Sequence, residues 1–126
     1  MNIFVKKSNT VAIPVFCWTD KDQNVEASHV KSDVPEGSES TTLTFTFRRP
    51  CYQDSTGILR QALSAGERGG VDVAVFQDLV LRNQLAGWDI KDEEDKEVAV
   101  NPMTVNELSP AVARAAVAGY LEKVKI

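Results

Sequence analysis

The sequence predicts an α+β fold: antiparallel β-strands in the N-terminal part, then a mainly helical part that carries a small acidic β-hairpin. Three observations predict it. In "TTLTFTF" apolar and β-branched residues alternate with period two, the mark of a half-buried strand. Past Pro50 the apolar period becomes helical, in "STGILRQALSAGE", "VAVFQDLVLRNQLAG" and "AVARAAVAGYLEKV". Between the last two lies "WDIKDEEDKEVAV", two short apolar segments about a polar turn. A chain of 126 residues fits one domain and is long enough to bury a real core. Residues 1–126 are therefore read as a single domain, β-rich over 1–50 and mainly helical over 51–126, with the hairpin at 88–100.

In chain order, "NIFVK" is a short apolar run ending at Lys6-Lys7. "TVAIPVFCW" is rich in β-branched and aromatic residues, and Pro14 within it predicts an edge strand or a bulge. "TDKDQN" is turn chemistry and "VEASHVK" the return strand, so three or four N-terminal strands are expected. "SDVPEGSES" reads as a loop, an internal boundary and a mobile arm. In "TTLTFTFRRP" Leu43, Phe45 and Phe47 share one face, Thr42, Thr44 and Thr46 the other, and Pro50 ends the strand.

Asp54 or Ser55 is placed to cap the first helix, with Ile58, Ala62 and Ala65 beside Leu59 and Leu63 as its stripe. "AGERGG" is a helix–helix connection. Asp72 starts the second helix, whose stripe is Val73, Phe76, Leu79, Val80 and Leu85, and Gly87 sits where a terminating glycine belongs. Asn101-Pro102 is an N-cap followed by a first-turn proline, and Ser109-Pro110 repeats the device. The last helix carries Val112, Ala116, Tyr120 and Val124, with Val117 and Leu121 alongside. Its alanines admit close approach of a neighbouring helix or another subunit.

Composition and motifs exclude more than they assign. A net charge of −4 and a pI near 5.0 argue against nucleic-acid binding, which needs a basic face. Arg48-Arg49 is the one local basic patch considered, with a strand-end pair facing water as the preferred account. No apolar run reaches the roughly 18 residues of a membrane span. The N-terminus lacks the apolar core and small-residue cleavage site of a signal peptide, so a cytosolic location is expected. Cys17 and Cys51 stand in apolar or aromatic settings with no CxxC neighbour and read as buried thiols. The acidic cluster, Asp89, Asp92, Glu93, Glu94, Asp95 and Glu97, lacks the glycine and alternating oxygens of a calcium loop, and Lys91 and Lys96 interrupt it. It reads as a solvated turn, or as a docking surface for a basic segment. His29 is the only histidine, weak evidence for zinc or a nucleophile pair. "AGERGG" lacks the lysine and hydroxyl of a phosphate loop, and Ser38, Ser40 and Ser55 lie in no G-x-S-x-G elbow. No catalytic, cofactor-binding or metal-ligating residue is assigned, and the chain is expected not to be an enzyme.

"LRNQLAGWDIKDEEDKEVAVNPMTVNELSPAVARAAVAGYLEKV" resembles a pattern of small tail-assembly proteins of tailed bacteriophages. In that pattern a helix leads into Trp-Asp-hydrophobic, then an acidic turn, Val-x-Val-x-Pro, a short helix and a Pro-led terminal helix. Here these are Trp88-Asp89-Ile90, residues 92–96, residues 98–100, Pro102, and Pro110 onward, and "TFTFRRPCYQDS" looks like the strand entry ahead of the helices. Asp95 stands where the pattern often has glycine, which predicts a longer hairpin, and the first forty residues are an added β extension. The resemblance covers roughly residues 42–124 and carries no catalytic signature. It implies a tail assembly chaperone in the host cytoplasm, keeping a helical tape-measure protein soluble. Such a role needs an apolar helix face, for which Phe76, Leu79, Val80, Tyr120 and Leu121 are the candidates and the hydrophobic core the competing account. The alternative it implies is a structural minor tail or baseplate component of the virion tail. There the N-terminal strands would add to a neighbour's sheet, with tube or baseplate subunits or a homo-oligomer as partners. Neither reading involves a membrane or a cofactor.

Overall fold

The computed structural model describes residues 1, 3–65 and 70–126. β3 (Thr41–Arg48) forms where the alternation predicts it. It pairs antiparallel with β1 (Thr10–Thr19) on one side and β4 (Leu85–Trp88) on the other; β2 (Val25–Ser28) adds outside β1, giving the order β2-β1-β3-β4. Ile13 and Val15 of β1 and Phe45 and Phe47 of β3 fall on one face and are buried, with Val11, Cys17 and Leu43 packed beside them. Pro14 lies opposite Thr44, and β2 joins β1 only from Phe16 onward. The missing proline N–H therefore falls on the uncovered edge of β1, where it interrupts no ladder. On that same edge the Ala12 carbonyl accepts from Lys123 Nζ at 3.4 Å.

Three strands, β1, β2 and β3, make up the N-terminal part among the described residues, within the three or four expected, and the apolar run Ile3-Phe4-Val5 forms none. Its segment is instead tied by a turn, Asn9 N–H to the Lys6 carbonyl at 2.9 Å, and by the Arg49 N–H on the Asn9 carbonyl at 2.9 Å. The loop after β2 opens with a 3₁₀ turn, Lys31–Asp33, pinned by Ser28 Oγ donating to Asp33 Oδ2 at 2.6 Å.

The helices are α1 (Tyr52–Ala65), α2 (Val73–Gln84), α3 (Pro102–Asn106) and α4 (Pro110–Lys123). α1 starts earlier than expected. Neither Asp54 nor Ser55 precedes it; Asp54 lies inside the first turn and accepts the Cys51 N–H at 3.2 Å, while the Cys51 carbonyl takes the first helical bond from Ser55. The connection expected at "AGERGG" lies, over residues 66–69, outside the described residues. Asp72 caps α2 as expected, accepting from the Val75 N–H at 3.0 Å. Asn101 and Thr104 form a reciprocal capping box on α3, both bonds at 3.0 Å, with Pro102 in the first turn. At α4 proline again occupies the first turn, but Ser109 makes no side-chain cap bond.

Gly87 does not terminate α2. The helix stops at Gln84, Leu85 is already extended at φ −69° and ψ 122°, and Leu85–Trp88 pairs with β3 across a register shift between Thr46 and Phe47. The strand forms because the β3 edge offers unpaired backbone groups and the core offers Leu85 a site beside Phe47. α4 packs across β1 and β2, α2 packs on α4, and α1 packs chiefly on α2. Tyr120 of α4 stacks on Phe47 with ring centroids 4.6 Å apart, and Phe45 meets Trp88 edge to face at 6.0 Å. Full burial of Phe45 and of Phe47 contributes about 1.5–3 kcal/mol of transfer free energy each. Close approach of α4 depends on Gly119: a Cβ there would lie 2.6 Å from Ile13 Cγ2 and 2.9 Å from His29 Cβ.

Candidate functional site

Of the five residues proposed from sequence as a partner-binding face, two lie in the core and three are half-buried. Val80 and Tyr120 are 0 % exposed, in the centre of the core, and Phe76, Leu79 and Leu121 are half-buried against it. The physical reason is that α2 and α4 have one strong apolar stripe each, and the sheet and the helix pair consume both. Tyr120 is committed further by its hydroxyl, which donates to the Arg48 carbonyl at 2.7 Å beside Gln84 Nε2 at 3.2 Å. Burial pushes the Tyr120 phenol above its ordinary pKa.

The exposed apolar helix surface lies on α1 instead. One side of α1, with Ile58 and Ala62, is buried. About 100° around the helix, Tyr52, Thr56, Leu59 and Leu63 recur at spacings of four, three and four residues and form a second stripe. Tyr52 is 87 % and Leu63 45 % exposed, and Thr56, Leu59, Arg60 and Leu63 line a shallow depression. Val71 and Val73, 46 % and 64 % exposed, extend the surface, because the Asp72 N–H donates to the Ala62 carbonyl at 3.2 Å and holds this segment at the end of the stripe. The sequence pattern grouped Leu59 and Leu63 with Ile58 and Ala62 as one stripe. Separating them requires knowing that α1 touches its neighbours on one side.

The acidic segment is a tight turn. The Asp92 N–H donates to the Lys96 carbonyl at 2.9 Å, and Asp92 Oδ1 accepts the Glu94 and Lys96 N–H groups at 2.9 and 3.0 Å. The longer hairpin expected from the absent glycine is not what forms. Asp95 takes the left-handed conformation itself, at φ +63°, and the short turn is kept. Ladder pairing is limited to the bridge between Lys91 and Glu97 and the Val98 N–H on the Ile90 carbonyl at 3.0 Å. Trp88 Nε1 clamps the base by donating to the Val98 carbonyl at 2.7 Å, and Asp89 Oδ1 accepts the Thr44 N–H at 2.7 Å.

The remaining titratable candidates have structural surroundings. His29 follows β2 and packs against α4 at Gly119, with Nε2 2.9 Å from Glu122 Oε1. Cys17 is half-buried beside the core, and burial raises its thiol pKa. Cys51 is the residue before α1. Among the described residues no three His, Cys, Asp or Glu side chains are grouped to hold a metal ion, and no helix is long and apolar enough to cross a membrane. Comparison of the chain with protein-family models, with curated proteins and with solved structures found no match.

Proposed function

We propose that this protein is a non-enzymatic tail-module protein of a tailed bacteriophage, an assembly chaperone that binds a helical segment of the tape-measure protein in the host cytoplasm. The observation that supports the reading is the second apolar stripe of α1, Tyr52, Thr56, Leu59 and Leu63, extended by Val71 and Val73. A helix with apolar residues at these spacings on its open side offers the complement of another amphipathic helix. Exposed apolar side chains grouped in this way are what a partner helix would cover. The proposed client surface therefore moves from α2 and α4 to α1 and the start of α2.

The test has two parts. Full-length protein is mixed with helical fragments of the source phage's tape-measure protein and examined by native mass spectrometry, with Leu59→Asp and Leu63→Asp beside the wild type. A complex weakened at least about tenfold by either substitution is expected, since each removes one buried leucine contact. A complex that ignores both substitutions, or none at all, overturns the assignment of the surface. Mass spectrometry of mature particles against infected-cell lysate then separates the two roles. Presence in lysate only fits the chaperone; stoichiometric presence in particles makes it a minor tail or baseplate subunit instead.

A further inference from the structure

One end of β3 gathers two basic pairs that lie far apart in sequence. Arg48 and Arg49 close the strand. Lys6 and Lys7 precede β1, and the Arg49 N–H on the Asn9 carbonyl at 2.9 Å brings their segment alongside. All four line a pocket of about 260 Å³. Asp54 is its one carboxylate, and that group already accepts the Cys51 N–H. Among the described residues none of the four cations takes part in an ion pair. The floor is pre-organised: the Arg48 guanidinium donates to the Asn83 carbonyl at 2.7 Å, and the Arg48 carbonyl receives Tyr120 and Gln84. A concave cation cluster in a chain of net charge −4 is a local feature that the composition does not predict.

The opposite charge lies at the other end of the same strand. Leu85 pairs with Phe47, Trp88 with Phe45, and the Asp89 N–H bonds the Thr44 carbonyl, so β4 leads the chain away from Arg48. Asp89 is thus displaced by roughly 13 Å along the sheet, at about 3.3 Å per residue, and the acidic turn lies beyond it. Residues 91–97 carry five carboxylates and two lysines, all exposed. Lys96 pairs with Glu94 at 3.5 Å and Lys91 with Asp95 at 3.8 Å, while Glu93 and Glu97 form no ion pair among the described residues. The separation exceeds the Debye length of about 8–10 Å at physiological salt. The Trp88 clamp also ties the hairpin base down, so one molecule does not neutralise its own two poles.

We infer that the Lys6/Lys7/Arg48/Arg49 pocket receives the acidic hairpin tip of a second copy of this chain, head to tail. An exposed anionic tip and a concave cationic pocket are complementary in charge. The contact is heterologous, so a pair of copies still presents one free pocket and one free tip, and addition continues to a closed ring or an open chain. The α1 stripe lies outside both surfaces, and the inference does not depend on the client reading.

Sedimentation velocity of the full chain tests it, over a concentration series at roughly 50 mM and at about 0.5 M salt. Self-association at low salt, lost at high salt, is expected. Arg49→Glu, an exposed position with no side-chain role in the fold, and the pair Glu93→Lys with Glu97→Lys should each weaken association at least about tenfold. Circular dichroism verifies that each variant is folded. Mixing the pocket variant with the tip variant should restore pairing, because the intact tip of the one then meets the intact pocket of the other. A wild type that stays monomeric at low salt, an association indifferent to salt, or one that survives Arg49→Glu overturns the proposal.

Discussion

Gly119→Ala sets two effects of known size against each other. Alanine is favoured over glycine in a helix interior by about 1 kcal/mol, so propensity alone predicts a more stable protein. Packing predicts the reverse. The added Cβ would lie 2.6 Å from Ile13 Cγ2 and 2.9 Å from His29 Cβ, both inside any ordinary carbon contact. Ile13 is 1 % exposed on a central strand, and a β-branched side chain there has one comfortable rotamer to give up. The His29 Cβ is fixed to backbone and cannot swing aside. Overpacking of this kind costs about 1–3 kcal/mol; with two short contacts the upper end applies, and the net loss is about 2 kcal/mol. Gly57→Ala in α1 is the control, since nothing lies within 4 Å of its added Cβ. It should stabilise by about 0.5–1 kcal/mol. Urea unfolding followed by tryptophan fluorescence reads both. With a slope of about 2 kcal/mol per molar urea, the Gly119 variant should lose about 1 M in midpoint and the Gly57 variant should gain a fraction of that. A Gly119→Ala protein as stable as the Gly57→Ala protein would mean that α4 does not press on β1, and the packing described here would be wrong.

Trp88→Phe keeps a ring against Phe45 but removes the donor to the Val98 carbonyl; it should cost about 1–2 kcal/mol, and the Val98 amide should exchange faster by hydrogen-exchange mass spectrometry. Tyr120→Phe leaves the Arg48 carbonyl served by Gln84 Nε2, so its cost at neutral pH should be about 1 kcal/mol. Because burial raises the Tyr120 pKa, the unfolded chain loses the phenolic proton first, and that part of the stability is present below about pH 10 and lost as pH rises through the folded value. Urea midpoints between pH 8 and pH 11 (roughly, bracketing the ordinary tyrosine value) should fall less for the phenylalanine variant than for the wild type. Asp92→Asn retains the oxygen that accepts the Glu94 and Lys96 N–H groups, so its melting temperature should match the wild type within about 0.5 kcal/mol of stability; unfolding of this variant would refute the turn.

What could be read from the sequence was local. The alternation through Phe45 and Phe47, the helix start at Asp72 and the Asn101-Pro102 N-cap need only neighbouring residues, and each formed as read. What was misread depended on partners distant in the chain. Gly87 looks like a helix stop because glycine usually is one, yet an open β3 edge pulled Leu85–Trp88 into the sheet. Val80 and Tyr120 satisfy a helical period equally well as core or as docking face, and periodicity does not say which side of a helix is occupied. The two α1 stripes merge in one dimension for the same reason. The pocket was least legible, since Arg48-Arg49 becomes more than a strand end only when Asn9 brings Lys6 and Lys7 to it.

The residues that carry the sequence resemblance are mostly structural in their effect. Trp88 braces Phe45 and clamps Val98; Asp89 extends the β3 ladder with its side chain on the Thr44 N–H and its own N–H on the Thr44 carbonyl; Asn101 and Pro102 set a helix start. Even the departure at Asp95 follows this logic, because the turn keeps its left-handed residue when glycine is absent. The surfaces proposed above for partners are the outward stripe of α1 and the two oppositely charged ends of β3, the latter built from the Arg-Arg and acidic-turn elements of that pattern. These surfaces differ in kind. Binding through the stripe would depend on buried apolar area and respond weakly to salt, whereas association through the poles would weaken steeply as salt rises. Salt dependence alone therefore separates a client held on α1 from a second copy held at the basic pocket, even when both are present in one mixture.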